Sequence, residues 1–315
     1  MRINLTDPMI IGSYGEYGPL LFKYTYGAYT YLFTNRYVVR RTSSGDTILL
    51  DLGTSKVLNS LVLPTTTTPG TNYDIYFCYE GNSYKVYQIT TTTGNLITYN
   101  TATGEQLKVR SFAFVGTVGG TKRFVTISED RLILTSDFQT IISSVSNTSF
   151  LEISFAEYDN INSMFVGVWI PSVYTSMTGH RYRVYFTQYG NNIELVGHFF
   201  KCENTYYFSH AFGGWIQSDN LLLNQDNWVR KTPSGIGSDN FIWIKKGDKG
   251  YYYFALYNNT SKTVSLKYTL DFNTFYTVDS GSFSELDGRI YITPSCALKY
   301  NKLMYININN KTYAI

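Results

Sequence analysis

The sequence predicts an all-β protein with a β-propeller fold, and three observations support this. Only 16% of the 315 residues are charged, whereas 30 are tyrosine and 20 are phenylalanine. Aromatic and β-branched residues suit the pleated surface of a sheet. Paired runs of such residues recur along the chain, and an Asp-containing turn returns at nearly constant intervals. No segment of comparable length has the periodicity of an amphipathic helix.

The paired runs have the pattern of β-hairpins. In the first pair, residues 28–33 and 36–40 are rich in aromatic and β-branched side chains, and Thr34 and Asn35 separate them. Two such runs joined by a short polar turn are typical of a hairpin. The pattern recurs at residues 74–78 with 84–87 and 123–127 with 131–134, and it begins again at 251–256 and 303–308.

The repeated turn has the pattern T-x-D-F-x-T in its clearest copy. Thr135 and Thr269 begin two related copies, and three repeats of roughly 45 residues separate them. Asp46 and Asp226 lie near other points of the same spacing. A repeat of this length that holds several strands is typical of a propeller blade. We therefore predict a single domain, residues 1–315, with seven blades of four antiparallel strands, six being the alternative.

The spacing also predicts how the ring closes. The next Asp turn, between the third and outer strands of the last blade, would fall at the final residues of the sequence. The outer strand of that blade is then expected from residues 2–6, with Ile3 and Leu5 on one face because side chains alternate along a strand. Pairing of the N- and C-terminal segments would remove the exposed edges of an open array.

At the Asp turns the sequence resembles sialidase-type β-propellers, whose blades carry the Asp box S-x-D-x-G-x-T-W. Thr135, Asp137 and Thr140 match it, but the glycine is absent, the Asp-to-Thr spacing is one residue shorter, and Ile141 replaces the tryptophan. The resemblance implies a structural role on the face opposite the catalytic site of those propellers. An Asp at a turn can accept backbone N–H bonds. We therefore interpret four residues as structural: Asp46, Asp137, Asp226 and Asp271.

No set of catalytic residues emerges from the sequence. Glycosidases use two carboxyl groups, or a tyrosine with an acid–base pair, and sialidases add an arginine cluster. The string at residues 169–171, Trp-Ile-Pro, lacks the arginine of the sialidase motif. His180, His198 and His210 have no metal-ligand spacing, and no nucleotide-binding or G-x-S-x-G string is present. We predict no catalytic residue, metal or cofactor.

Several partners are excluded or favoured by composition. The net charge of +3 is too small to imply a nucleic-acid partner. No run reaches the about 18 apolar residues that cross a bilayer, so no membrane insertion is expected. Few charges and many Tyr, Asn and Thr indicate an extracellular setting, yet the first residues lack the pattern of a signal peptide. A virion protein would account for both the extracellular composition and the missing signal-peptide pattern, because it is assembled in the host cytoplasm and then exposed.

The leading functional hypothesis is therefore a non-enzymatic virion structural or adhesion protein, a tail, spike or fibre component. The Tyr/Asn/Thr-rich composition resembles that of structural proteins of bacteriophages and archaeal viruses. Expected partners are other virion proteins and a glycan or protein of the host surface. Two alternatives stay open: a sialidase-like glycoside hydrolase, and a host-encoded propeller scaffold that binds peptides.

Residues 171–180 form a long connection between the second and third strands of the predicted fourth blade, on the face opposite the Asp turns. Long loops on a rigid scaffold commonly carry function. Aromatic side chains next to polar groups suit sugar rings. The predicted binding residues are Tyr174, Met177 and His180 of this connection with Trp215 of the next blade. A neutral insertion and a buried Trp215 are the alternative interpretations.

Overall fold

The structure is a computed structural model, and it describes residues 9–13, 16–56, 58–63, 74–79, 85–100, 109–128, 131–146, 153–160, 163–168, 175–177, 181–185, 199–209, 214–219, 229–237, 239–258, 260–282 and 305–315. The regular secondary structure within these ranges consists of β-strands, which are arranged in seven sheets. The prediction of an all-β chain with sheets of four antiparallel strands is confirmed.

Five sheets are antiparallel meanders whose strands are adjacent in chain order. Sheet 1 contains β2 (Leu20–Tyr26), β3 (Tyr29–Thr34), β4 (Tyr37–Thr42) and β5 (Gly45–Asp51). Sheet 2 contains β6 (Leu58–Val62), β7 (Ile75–Tyr79), β8 (Lys85–Thr90) and β9 (Asn95–Asn100). Sheet 3 contains β10 (Val109–Val118), β11 (Thr121–Ser128), β12 (Arg131–Thr135) and β13 (Ile141–Ser146).

The other two meanders occur later in the chain. Sheet 5 contains β18 (Phe199–Cys202), β19 (Thr205–Ser209), β20 (Trp215–Ser218) and β21 (Val229–Lys231). Sheet 6 contains β22 (Asn240–Lys246), β23 (Tyr252–Asn258), β24 (Thr263–Thr269) and β25 (Tyr276–Ser282). In each meander the first strand lies at one edge of the sheet and the fourth strand lies at the other.

Sheet 4 departs from the meander. It contains β14 (Ile153–Asn160), β15 (Ser163–Val168), β16 (Thr175–Met177) and β17 (Arg181–Tyr185), in the spatial order β14-β15-β17-β16. β15 and β17 are parallel, and β16 pairs antiparallel with β17 at the edge. The long connection predicted at residues 171–180 therefore contains a strand at Thr175–Met177. Residues 175–177 find backbone hydrogen-bond partners along β17, which favours a strand over a solvated connection.

Sheet 7 contains β26 (Tyr305–Ile308), β27 (Lys311–Ala314) and β1 (Met9–Ser13). Asn309 and Asn310 connect β26 to β27 with positive φ values of 50° and 60°, a conformation that asparagine tolerates better than most residues. β1 runs antiparallel to β27, with Met9 opposite Ala314. Residues 2–6, which the sequence suggested for this position, lie outside the described residues.

Five pairs of sheets pack through their first strands, whereas sheet 6 contacts β26 of sheet 7 through β24 and β25, and the core lies between the sheets. The packed pairs are β6 with β10, β10 with β14, β14 with β18, β18 with β22, and β2 with β26. A cluster between sheets 1 and 2 includes Phe33 and Phe77, whose ring centroids are 5.0 Å apart in an edge-to-face arrangement. Such ring pairs add to the stabilisation that apolar burial supplies.

At two of the contacts between sheets, a phenylalanine from an Asp turn packs against the neighbouring sheet. Phe138, between β12 and β13, is 1% exposed, and its ring lies 6.1 Å from that of Tyr76 in sheet 2. Phe272, between β24 and β25, lies 6.0 Å from the indole of Trp215 in sheet 5. Both phenylalanines have positive φ, 61° and 58°, which is strained for a residue with a Cβ. Ring burial offsets that strain.

We expect Phe138→Ala to lower the free energy of unfolding by about 3–5 kcal/mol, because it leaves a cavity between sheets 2 and 3. Urea denaturation of the purified variant measures the change. Gln139→Ala, at an exposed position of the same turn, is the matched control and should stay within about 0.5 kcal/mol of wild type. Similar free energies of unfolding for the two variants would contradict the role of the Phe138 ring in packing sheet 3 against sheet 2.

Candidate functional site

The first T-x-D-F-x-T turn is held by side chains that accept backbone hydrogen bonds. Thr135 Oγ1 accepts the N–H of Phe138 at 3.0 Å. Asp137 Oδ1 accepts the N–H groups of Gln139 and Thr140 at 2.9 and 2.7 Å, and Thr140 Oγ1 donates to Asp137 Oδ2 at 2.9 Å. Burial alone would raise the pKa of Asp137, but these donors outweigh it and the pKa is lowered. The carboxylate is engaged in holding the turn.

The second copy repeats this geometry. Asp271 Oδ1 accepts the N–H groups of Asn273 and Thr274, both at 2.9 Å, and Thr269 Oγ1 accepts the N–H of Phe272 at 3.0 Å. The N–H groups of Thr274 and Asn273 stabilise the ionised carboxylate and so lower the pKa of Asp271. Both turns join the third strand of a sheet to its fourth.

The other two Asp residues of the series differ. Asp46 lies within β5 and pairs with Arg41 of β4, with Arg41 Nε 2.8 Å from Asp46 Oδ1 and Nη2 2.7 Å from Oδ2. This bidentate pair links two strands across the sheet, whereas Asp137 and Asp271 bond to turn backbone. The hydrogen bond from Arg41 lowers the pKa of Asp46. Asp226 lies outside the described residues.

The predicted binding patch is not assembled by the described residues. Tyr174 and His180 lie outside them, and Met177 is the last residue of β16. Trp215 is 0% exposed, its ring lies 5.4 Å from that of Phe254, and its Nε1 donates to Gln217 Oε1 at 2.8 Å. A buried indole offers no face to a sugar. Trp215 instead belongs to the core between sheets 5 and 6, as the alternative interpretation had it.

A row of tyrosines crosses sheet 6 from the core to the surface. Tyr253, Tyr268 and Tyr276 are cross-strand neighbours in β23, β24 and β25. The rings of Tyr268 and Tyr276 are stacked, with centroids 5.2 Å apart and an interplanar angle of 25°, and Tyr251 meets Tyr268 edge-on at 5.3 Å. Tyr253 is fully buried, whereas Tyr276 is 54% exposed. We name Tyr251, Tyr268 and Tyr276 the tyrosine surface.

Sequence reasoning missed the tyrosine surface, although part of its signal is present. Tyr251 and Tyr253 have the two-residue spacing of one strand face. The contribution of Tyr268 and Tyr276, however, depends on the register of three strands, which the sequence does not give. Tyrosine rings stacked beside an edge strand offer an aromatic area together with phenolic hydroxyls. This combination suits a sugar, whose C–H face packs on rings while its hydroxyls take hydrogen bonds.

A carboxyl group that acts as a general acid near neutral pH requires a raised pKa. Every described carboxyl group with a resolved shift has a lowered pKa. Glu203 is an example, because Lys246 Nζ lies 2.7 Å from its Oε1 and that hydrogen bond lowers the pKa of Glu203. The thiol of Cys202 is mostly buried, and burial raises its pKa to about 11.

Within the described part of the chain, no group of three His, Cys, Asp or Glu side chains is placed to hold a metal ion. The same ranges contain no helix that is long and apolar enough to cross a membrane.

Comparison with known proteins identifies a fold without a family. No family model matches the sequence, and no curated protein matches it. Among solved structures, the AfRom2 CNH domain has a TM-score of 0.55 at 7% identity, covering 98% of each chain. YCF48 bound to D1 peptide has a TM-score of 0.55 at 11% identity, covering 100% of this chain and 96% of the other. The designed protein Ika8 has a TM-score of 0.52 at 10% identity, covering 96% and 98%.

At such low identity the likeness shows the fold alone, and the fold is a β-propeller. The propeller prediction is thereby confirmed. The number of blades, the closure of the ring and the resemblance to sialidase-type propellers stay predictions.

We expect Asp271→Asn to be less stable than wild type at neutral pH, and the difference to shrink as the pH falls below about 4. The folded-state pKa of Asp271 is lowered. Its ionised carboxylate therefore stabilises the fold above the unfolded-state pKa, and this contribution is lost as the pH falls through the folded-state pKa. Urea titrations at neutral pH and at about pH 2 measure the difference. Asp248→Asn, in an exposed turn, is the control, and a pH-independent difference for Asp271→Asn would contradict the assignment.

Proposed function

We propose that this chain is a non-enzymatic propeller of a virion, a tail, spike or fibre component, whose tyrosine surface attaches to host-surface glycans. The observation that carries the proposal is the stacked pair of Tyr268 and Tyr276 at the outer strand of sheet 6, with Tyr276 54% exposed. Single exposed apolar residues are ordinary on protein surfaces. Adjacent rings in a fixed stack form a continuous area, which is the surface that a sugar ring requires.

The sheet holds these rings in place before a ligand arrives. Tyr268 lies between the edge-on ring of Tyr251 and the stacked ring of Tyr276, and it also packs on the buried Tyr253 at 6.0 Å. Side chains that are already ordered lose less conformational entropy on binding. Pre-organisation therefore favours recognition by the tyrosine surface, because the contacts to one sugar ring are weak and could offset only a small loss of conformational entropy.

The non-enzymatic and virion parts of the proposal have different support. The carboxylates of Asp137 and Asp271 are engaged in turns, and the resolved carboxyl pKa values are lowered, which disfavours a glycoside hydrolase. The virion assignment depends on composition, with 16% charged residues and 30 tyrosines. A peptide-binding scaffold is the second candidate, because YCF48, which has a similar fold, is known with a bound D1 peptide.

We also propose that the seven sheets are the seven blades of one closed ring. Sheets 2 to 6 pack in chain order through their first strands, and sheet 1 packs on sheet 7 through β2 and β26. The pairing of β1 with β27 supports closure by the N- and C-terminal parts of the chain. β1 is then the outer strand of the last blade, a role that the sequence had suggested for residues 2–6.

We expect Tyr276→Ser to weaken glycan binding about 5- to 30-fold, the loss typical of an exposed aromatic contact residue worth 1–2 kcal/mol. A glycan array identifies the sugars that the recombinant chain binds, and titration then compares the variants. Ile48→Ser is the matched control, because Ile48 is 50% exposed on the outer strand of sheet 1. Unchanged binding by Tyr276→Ser, or an equal loss in both variants, would overturn the role of the tyrosine surface.

The virion assignment has its own test. We expect mass spectrometry and immunogold labelling to detect the chain in purified particles, at the particle surface. A chain that is absent from particles and resident in a host cytosol would overturn the assignment. The glycan titrations would remain valid in that case, so the two parts of the proposal fail separately.

A further inference from the structure

Arg40 of β4 differs from the arginines on either side of it. Arg36 pairs with Asp51 at 3.0 Å, and Arg41 pairs with Asp46 at 2.7 Å. Among the described residues, no carboxylate forms an ion pair with Arg40. Its Nη1 donates to the backbone oxygen of Gly94 in sheet 2 at 3.2 Å, and its guanidinium lies 5.4 Å from the ring centroid of Tyr29. The guanidinium is thus fixed in the contact between sheets 1 and 2.

Two polar atoms in this contact are buried without a hydrogen-bond partner: Arg40 Nε and Thr91 Oγ1. Thr91 is 0% exposed and belongs to the same turn of sheet 2 as Gly94. Tyr31 lies directly opposite Arg40 in the β3–β4 register, and its hydroxyl donates to the Thr91 backbone oxygen at 3.5 Å. A buried polar group left unsatisfied destabilises the folded state, and does so more strongly when it is charged. The contact therefore lacks a hydrogen-bond acceptor.

The chemistry of the contact selects the kind of acceptor. Arg40 Nε and Thr91 Oγ1 each carry a proton that they can donate. Burial raises the pKa of Tyr31 to about 12, so its hydroxyl stays protonated, and its one proton is donated to the Thr91 backbone oxygen. Both donors lie in the contact that holds the guanidinium, and N–H and O–H groups beside a positive charge favour an anion as their acceptor. Space is limited, because a Cβ on Gly94 would lie only 2.6 Å from Arg40 Nη1.

We propose that the contact between sheets 1 and 2 binds a small monovalent anion of about the size of chloride, held by Arg40 Nε and Thr91 Oγ1. The anion would neutralise the guanidinium, satisfy both donors and link β4 to the turn that follows β8. Binding would therefore stabilise the packing of the two sheets. This inference is independent of the proposed function, because Arg40 and the tyrosine surface lie in different sheets.

Thermal unfolding in chloride and in gluconate, at one constant ionic strength, tests the site. A ligand that binds only the folded state raises the melting temperature with the logarithm of its concentration. We expect this rise for wild type in chloride but not in gluconate, which is too large for the contact. Arg40→Met should abolish the rise, and Arg41→Met should retain it because Arg41 already pairs with Asp46. A chloride dependence unchanged in Arg40→Met, or absent in wild type, would overturn the proposal.

Two further measurements keep the test decisive if Arg40→Met fails to fold. Thr91→Val removes one donor at nearly constant volume, and it should reduce the chloride dependence. Crystals soaked in bromide should show an anomalous peak within hydrogen-bond distance of Arg40 Nε and Thr91 Oγ1. Bromide peaks confined to surface positions elsewhere would overturn the assignment.

Discussion

The packing of aromatic rings between neighbouring sheets is the interaction on which the rest of this structure depends. A four-stranded sheet of this composition has two apolar faces, and neither can be covered from within the sheet. Phe33 of sheet 1 meets Phe77 of sheet 2 at 5.0 Å, and Phe138 of sheet 3 reaches Tyr76 of sheet 2 at 6.1 Å. Each sheet therefore needs its neighbours, which is the physical reason for a repeated architecture.

Polar contacts then align the sheets that the rings bring together. Tyr79 Oη donates to the backbone oxygen of Thr34 at 2.9 Å, and the backbone N–H of Phe112 donates to Ser60 Oγ at 2.8 Å. Both bonds cross from one sheet to the next and are buried, so losing either partner would leave an unsatisfied group. Apolar burial alone would tolerate sliding of one sheet on another, whereas these directional bonds fix one alignment. A rigid array of this kind can hold surface rings, such as Tyr276, in a constant position.

The sequence was informative where a local pattern determines a local structure. The copies of T-x-D-F-x-T at Thr135 and Thr269 form the predicted strand-to-strand turns, because Thr, Asp and backbone N–H groups within six residues satisfy one another. The sequence was uninformative where the register of distant strands determines which side chains pair and which are exposed. Asp46 faces Arg41 across two strands, and Tyr253 and Tyr276 are the same residue type at opposite extremes of exposure. Only the pairing of strands distinguishes these cases.

The position of the Phe138 ring has a consequence for synthesis of the chain. The ring belongs to a turn of sheet 3, but part of the socket it fills is Tyr76 of sheet 2, and Phe272 has the same relation to Trp215. During translation, which proceeds from the N-terminus, the strands of sheet 2 leave the ribosome well before residue 138 does. Until residue 138 has been synthesised, the Tyr76 ring of sheet 2 therefore lacks its contact with Phe138. Sheet 5 and its successor have the same order, so at these two positions the core is completed only after the following sheet has been synthesised.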